Sequence, residues 1–323
     1  MIRHTDWRGK VAKYQYDSLD RRIFTGYGYN GSSYESTINL AFDKGDHLTQ
    51  AVDSIAGTIT RGYDLLDNLT SETTPQGTVG YSYDLASRRS TMSVSAQSGT
   101  SYTWDDANRL SGITQGTSAV SFSYDNANRR TNLTLPNGIV LTYGYDGNSR
   151  VNSMTWALGS TQIGNLAYNY DADGRIIGKS GGMAATNLPA VVSGNTFNAS
   201  NAMTAFGTQS LSYDANGNLT GDGVNTYTWD ARNHLVGISG GVAASFVYDA
   251  VGRRASKTIN AQTTQFLYDG INPLANSIAN GLTTTFARDA DEQPISQTFA
   301  WGSNISTMRT GVRLTKAAAA WPR

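Results

Sequence analysis

No cysteine occurs in the 323 residues, which excludes disulfides and thiolate metal sites. Basic and acidic residues balance at 25 each, so the chain carries no electrostatic footprint for nucleic acid or for an anionic membrane surface. No run of about 18 apolar residues is present to span a bilayer as a helix. The opening Met1-Ile-Arg-His-Thr-Asp6 lacks the apolar centre of a signal peptide. Sustained 3.6-residue periodicity is missing except around residues 316–321, so little helix is expected. Proline is scarce at 6 while glycine reaches 34 and tyrosine 18, a balance that suits many short strands joined by tight turns rather than a disordered linker.

What is present is a repeat. An aromatic residue is followed directly by aspartate at Tyr16-Asp17, Phe42-Asp43, Tyr63-Asp64, Tyr83-Asp84, Trp104-Asp105, Tyr124-Asp125, Tyr145-Asp146, Tyr170-Asp171, Tyr213-Asp214, Trp229-Asp230, Tyr248-Asp249 and Tyr268-Asp269. Neighbouring copies such as Tyr63, Tyr83, Trp104, Tyr124 and Tyr145 stand 20 or 21 residues apart. A fixed period of this length signals a repeat architecture, and it makes these residues structural before any chemistry is considered.

Three residues after the aspartate comes a turn former, as in Asp17-Ser-Leu-Asp20, Asp105-Asp-Ala-Asn108 and Asp249-Ala-Val-Gly252. A type I turn favours Asp first and a residue tolerant of left-handed backbone at the end. The next position is usually basic or polar: Arg21, Arg109, Arg129, Arg150, Arg175 and Arg253, with His47 and His234 in two copies. Upstream, rings at spacing two, as in Tyr102-Thr-Trp104 and Phe122-Ser-Tyr124, share one face of a strand. Each unit therefore reads as strand, tight turn, strand. Asn137-Gly138 marks a further hairpin, with Leu133, Leu135, Ile139, Leu141, Tyr143 and Tyr145 on one parity. Degenerate copies lie at Phe197-Asn198-Ala-Ser-Asn201 and Arg288-Asp289-Ala-Asp-Glu292, and Asp6-Trp-Arg-Gly9 shares the turn half of the unit.

This pattern, clearest in Tyr83-Asp-Leu-Ala-Ser-Arg-Arg89, Tyr124-Asp-Asn-Ala-Asn-Arg-Arg130 and Tyr248-Asp-Ala-Val-Gly-Arg-Arg254, resembles the YD repeats of the rearrangement-hotspot (RHS) family, also found in teneurins and bacterial polymorphic toxins. The resemblance covers about residues 6–295. It implies an all-β fold, a spiralling β-sheet of repeated hairpins that forms a shell around a C-terminal toxin or effector. Family shells close with a core segment like Tyr-Asp-x-x-x-Gly-Arg-Phe-x-Ser-x-Asp-Pro, tied to self-cleavage in some members. Nothing here matches it, so self-cleavage is not expected, and an open partial shell, an internal slice of a longer one, is.

The expected organisation is one array over residues 1–300 with an irregular insertion at 181–195, then a non-repeat tail at 301–323. With uncapped strand edges at both ends, self-association is expected of the isolated chain. The expected partners are the enclosed polypeptide or the remaining shell segments, in a parent protein that is secreted or held at the cell surface; nucleic acid, cofactors and metals are not expected. A cell-surface adhesion or carbohydrate-binding module is the rival reading, with the repeat rings as a stacking strip.

Three motifs match catalytic or binding signatures by spelling. Gly237-Ile-Ser239-Gly-Gly241 spells a nucleophile elbow, which needs a strand-to-helix turn and a dedicated histidine. Gly26-Tyr-Gly28-Tyr-Asn-Gly31 spells a dinucleotide fingerprint, which needs a following helix. Asp214, Asn216 and Asn218 have calcium-loop spacing, but Leu219 and Asn225 stand where Gly and Glu belong. The sequence context favours a strand or turn in each case, so no enzymatic activity is expected.

Overall fold

A computed structural model describes residues 1–95, 97–184 and 190–278, together with the backbone strands Thr283–Arg288, Pro294–Phe299, Met308–Arg309 and Val312–Arg313; side chains are described as far as residue 274. All the regular structure among these residues is β. The first seventeen strands, from Ile2–Thr5 to Ile176–Ser180, belong to one antiparallel sheet. A three-stranded sheet holds Thr196–Phe197, Met203–Phe206 and Gln209–Ser210. A ten-stranded sheet runs from Ser212–Tyr213 to Pro294–Phe299. Consecutive strands pair as hairpins, the arrangement that a strand–turn–strand repeat dictates.

By its contacts the chain divides into two compact units, residues 1–80 with 190–284, and residues 81–189 with 285–323. The second shows best how the sheet is stabilised. Its core is Leu110, Ile113, Val120, Phe122, Leu133, Leu135, Ile139 and Leu141. Cross-strand register builds it: Phe122 faces Leu133, Leu133 faces Leu141, and Leu141 faces Trp156. Each fully buried side chain of this size stabilises by about 1.5–3 kcal/mol, and directly opposed apolar pairs add to that. The opposite parity reads Thr103, Gly112, Ser121 and Thr134 in one register row, with Thr103 and Ser121 exposed. One face is thus apolar and covered while the other is small, polar and wet, as antiparallel sheets allow.

In the first unit Ala51, Ile59 and Val79 are buried from the N-terminal strands, and Ala255, Leu267 and Leu274 from the C-terminal ones.

The hairpin expected at Asn137-Gly138 forms, with Leu133 opposite Leu141. Leu135 N–H bonds to Ile139 O at 2.8 Å and Gly138 N–H to Leu135 O at 2.9 Å, so only Gly138, at φ +80°, is left-handed. That is a type I turn ending in a left-handed residue, the same frame as the aspartate turns. The Tyr268 copy closes with two residues instead. Asp269 pairs with Asn272, and Gly270 at φ +58° takes the first loop position, where a primed turn needs glycine.

Of the expected insertion at residues 181–195, residues 185–189 lie outside the described part. So do the degenerate copy at Asp289 and nearly all of the 301–323 segment.

Candidate functional site: the repeat joint

The site with the most chemistry recurs in every well-formed unit. The aspartate N–H bonds to the carbonyl four residues on, and the N–H three residues on bonds back to the aspartate carbonyl: Asp105 N to Arg109 O at 2.9 Å and Asn108 N to Asp105 O at 3.0 Å. The same pair of bonds frames Asp17, Asp84, Asp125, Asp146, Asp171, Asp214, Asp230 and Asp249, the degenerate Asn198 and the N-terminal Asp6. The third loop residue is left-handed in each: Asp20, Ser87, Asn108, Asn128, Ser149, Asn201 and Asn233 have φ between +57° and +70°, and Gly9, Gly174, Gly217 and Gly252 between +78° and +86°. Asn, Asp and Gly recur there because they tolerate that backbone best. Asp43 and Asp64 head the same turn, with Asp46 and Asp67 left-handed.

The carboxylate then closes the loop. Asp105 Oδ1 accepts the N–H of Ala107 at 3.0 Å and of Arg109 at 2.9 Å, while Oδ2 accepts Arg109 Nε at 2.7 Å. The Arg109 backbone N–H holds the Asp105 carboxyl below its ordinary 3.8, with the Arg109 side chain assisting against the desolvation that opposes it. Asp146 is held down in the same way by Arg150, and Asp84 foremost by the Arg88 side chain, then by the Arg88 N–H.

A lowered folded value means the unfolded chain takes up protons first, so this stabilisation is complete above about pH 5 and is lost as pH falls below 3.8 toward the folded values. Thermal melts from pH 7 downward are expected to hold level to about pH 5 and then drop steeply. A melting temperature unchanged down to about pH 3 contradicts this assignment.

Arg21, Arg88, Arg109, Arg129, Arg150 and Arg253 also reach the next unit. Arg109 Nη1 donates to Asp125 O at 3.1 Å and to Asn128 Oδ1 at 2.9 Å, and its guanidinium lies 4.7 Å from the centre of the Tyr124 ring. Arg129 covers Tyr145 at 4.6 Å, Arg150 covers Tyr170 at 4.5 Å, and Arg253 covers Tyr268 at 5.0 Å. Where histidine takes the slot, the rings stack instead: His47 on Tyr63 and His234 on Tyr248, both at 4.5 Å. The covered ring donates backward, Tyr124 OH to Leu110 O at 2.8 Å, Tyr145 OH to Arg130 O at 2.7 Å and Trp104 Nε1 to Arg89 O at 2.9 Å. In the Arg-Arg copies the second arginine folds onto a ring of its own hairpin: Arg89 on Tyr81, Arg130 on Phe122 and Arg254 on Phe246. The arginine joints at Arg109, Arg129, Arg150 and Arg253 therefore combine a charge-assisted hydrogen bond with a cation–π contact.

The repeat rings Phe42, Tyr63, Tyr83, Trp104, Tyr124, Tyr145, Tyr170, Tyr213, Trp229, Tyr248 and Tyr268 are half-buried, and Tyr16 is exposed. The ladder pauses after Tyr170. Arg175 is 75% exposed and, among the described residues, bonds only within its own turn, to Asp171 and Asp173, just before the aperiodic segment begins.

Sequence reasoning missed a second set of residues. In the first unit Asp53, whose side chain is 0% exposed, is paired with Arg232. Arg232 Nη2 donates to Asp53 Oδ1 at 3.0 Å and Nε to Ser36 Oγ at 2.9 Å. Glu72, 4% exposed, accepts Arg253 Nη1 at 2.7 Å and Arg61 Nε at 2.8 Å. One signal was available: Glu72 faces Val79 across its hairpin, a lone charge on a covered strand parity.

The catalytic spellings have their contexts settled. Ser239 is exposed and lies in the strand Leu235–Gly240, opposite Thr226, with no helix after it. His234 stacks on Tyr248 and sits against Asp230 at 3.6 Å. A fluorophosphonate probe is expected to leave Ser239 unlabelled; mass-spectrometric labelling lost in Ser239→Ala overturns this. Gly28 precedes a loop and the strand Ser36–Phe42, not a helix. Asn218 turns its amide Nδ2 toward Asp214 at 2.8 Å, so a donor stands where a cation would need oxygen. No cluster of acidic and histidine side chains able to hold a metal occurs among the described residues.

A wall of antiparallel hairpins joined by an Asp–Arg–aromatic ladder defines a β-repeat shell protein. The family model described as Teneurin YD-shell matches residues 139–279, and that described as RHS Repeat matches residues 63–98 and 104–140. Residues 63–98 and 104–279 are thus repeats of the RHS/YD family. The chain is similar to the tRNA nuclease WapA of Bacillus subtilis strain 168 and to the tRNA3(Ser)-specific nuclease WapA of Bacillus spizizenii, each 40% identical over 73 residues, which is 21% of this chain and 3% of those proteins. In fold it matches a crystal structure of TcdB2-TccC3-TEV with a TM-score of 0.67 at 13% identity, over 95% of this chain and 22% of that one. The Photorhabdus luminescens Tc holotoxin pore matches at 0.65 and 14% identity, over 94% of this chain and 21% of that one. The chain thus spans only a small part of each of these proteins.

Proposed function

We propose that this chain is a non-enzymatic wall segment of an RHS-type shell that encloses a C-terminal toxin or effector polypeptide within a longer, secreted or surface-held protein. The observation that carries the proposal is the ladder itself, in which aspartate, arginine and ring are used up in joining each hairpin to the next. A catalytic centre needs unlike groups converging once, whereas these recur at one station per unit. The family resemblance supports enclosure, and the fold neighbours are components of toxin complexes.

The nuclease activity named for the WapA proteins is not carried over, because only 3% of their length is matched. Adhesion through a strip of repeat rings is disfavoured, since all of them but Tyr16 are half-buried and most, Phe42, Tyr63, Trp104, Tyr124, Tyr145, Tyr170, Tyr248 and Tyr268, lie under guanidinium or imidazole groups.

Limited proteolysis tests the reading. In the longer protein that carries this wall, the effector segment stays uncut while exposed loops are cleaved, and loosening the ladder by Arg109→Ala together with Arg129→Ala makes it cleavable. An effector segment equally sensitive in both proteins overturns enclosure. Incubated alone with tRNA, this chain is expected to leave it intact.

A further inference from the structure

Three leucines of the first unit stand apart from its covered face. Leu65 is fully exposed, Leu66 is 69% exposed and Leu19 65%, all of them in the loops of aspartate turns. Leu19 and Leu66 hold the same station, two residues after Asp17 and Asp64. Other copies place Ala107, Ala127, Asn148 or Asn216 there and close with the same pair of backbone bonds, so the turn itself does not require leucine.

The three leucines lie along one rim of the sheet. Arg21, in the turn of Leu19, donates through Nη1 to Asp43 O at 3.0 Å and to Asp46 Oδ1 at 2.7 Å in the turn that follows. His47 of that second turn lies 3.5 Å from Asp67 and stacks on Tyr63, in the unit of Leu65 and Leu66. Successive turns stand two strands apart, which is about 10 Å, so about 20 Å of rim separates Leu19 from Leu66. Between them the same station is Gly45, which carries no side chain. The rim is also acidic, although the whole chain is neutral: Asp17, Asp20, Asp43, Asp46, Asp64 and Asp67 occupy these turns against Arg21 and Lys44.

We propose that this rim docks a basic amphipathic helix of a partner protein, laid along the three turns with its apolar stripe on Leu19, Leu65 and Leu66 and its lysines or arginines over the aspartates. Apolar side chains exposed together on neighbouring loops mark a contact surface, and the carboxylates among them give the partner its sign. The spacing selects a helix. Residues seven apart on one helical face are separated by about 10.5 Å, so side chains at i, i+7 and i+14 meet three successive turns, the middle one above Gly45. A lipid surface is opposed by the same carboxylates, which would be drawn out of water alongside the leucines. The inference is independent of enclosure, since the rim is the turn end of the sheet and neither of its faces.

Fluorescence anisotropy on the full chain tests it. The probe is a labelled leucine–lysine peptide with its leucines on one helical face and a length of about 18 residues, enough at about 1.5 Å per residue to span three turns. A scrambled peptide of the same composition and a glutamate-for-lysine version are the comparators, and phosphatidylcholine–phosphatidylserine vesicles are offered in flotation. Binding of the basic amphipathic peptide is expected, weaker at high salt. The triple variant Leu19→Ser, Leu65→Ser, Leu66→Ser is expected to weaken it about tenfold or more. Because these leucines are exposed, the variant retains the parent's circular dichroism and melting temperature. Absence of binding, equal binding of the scrambled or the acidic peptide, or binding undiminished in the triple variant overturns the proposal. Vesicle flotation or self-association that the triple variant abolishes overturns it too, by assigning the rim to lipid or to a second copy of the chain.

Discussion

Replacing Trp104 with alanine is expected to destabilise its unit by about 3 kcal/mol or more, within the range for truncating a large packed aromatic side chain, whereas Asp105→Ala is expected to cost less, because it removes only a capping side chain at a turn open to water. Both residues belong to the same repeat, so the comparison isolates what each contributes. Trp104 packs against the cluster of Leu110, Ile113 and Phe122, lies 5.7 Å beneath the Arg88 guanidinium, and donates Nε1 to Arg89 O. Its loss removes apolar burial and the backward bond together, and leaves space that the flanking strands cannot fill without moving. Asp105 offers three hydrogen bonds at a water-facing turn, where solvent replaces much of what is lost. Urea denaturation of the two variants, followed by far-UV circular dichroism, checks the order. If the aspartate variant melts first, turn closure and not ring packing governs the unit.

Arg232→Ala is expected to cost more than any surface charge deletion in the chain, about 3–5 kcal/mol, because it strands the fully covered Asp53 carboxylate. Asp53 Oδ1 would keep the N–H groups of Ile55 and Ala56, but its Oδ2 would lose the guanidinium. The double variant Asp53→Asn with Arg232→Gln removes both charges and keeps an acceptor for the turn, so it is expected to recover most of the loss. Breaking one partner of a buried pair is costly, while neutralising both is often mild. A parent-like melting temperature for Arg232→Ala would mean that this pair contributes nothing to holding residues 190–284 against residues 1–80. For contrast, the Arg175 pairs at 75% exposure are expected to change stability by less than about 1 kcal/mol when removed.

These two variants also separate what was legible in the sequence from what was not. The hairpin around Asp105 could be read directly, because every group that closes it lies within five residues: the aspartate, a left-handed Asn108, and Arg109 returning its side chain to the aspartate. Turn geometry is a local property, and local properties are written in local sequence. The strand pattern around Leu133 and Leu141 was legible for a similar reason, since a period of two fixes which residues share a face before any partner is known. Even here loop length was less legible than the hairpins themselves. Asn137-Gly138 took the longer aspartate-type frame, and Asp269-Gly270 took the two-residue turn. A dipeptide permits several loops, and the register of the flanking strands selects among them.

The sequence by itself therefore determined the all-β class, the repeat period, the composition of each turn and the apolar face of the strands. The tertiary structure alone decided that an arginine such as Arg109 lies over the ring of the next unit, Tyr124, and that this ring bonds back to Leu110 O. It alone decided, too, that Asp53 meets Arg232 across 179 residues and Glu72 meets Arg253 across 181. The physical reason is that a covered carboxylate in a strand announces only that it needs a cation. Which cation answers depends on where chain folding brings two distant strands together, and no local pattern of residues encodes that distance.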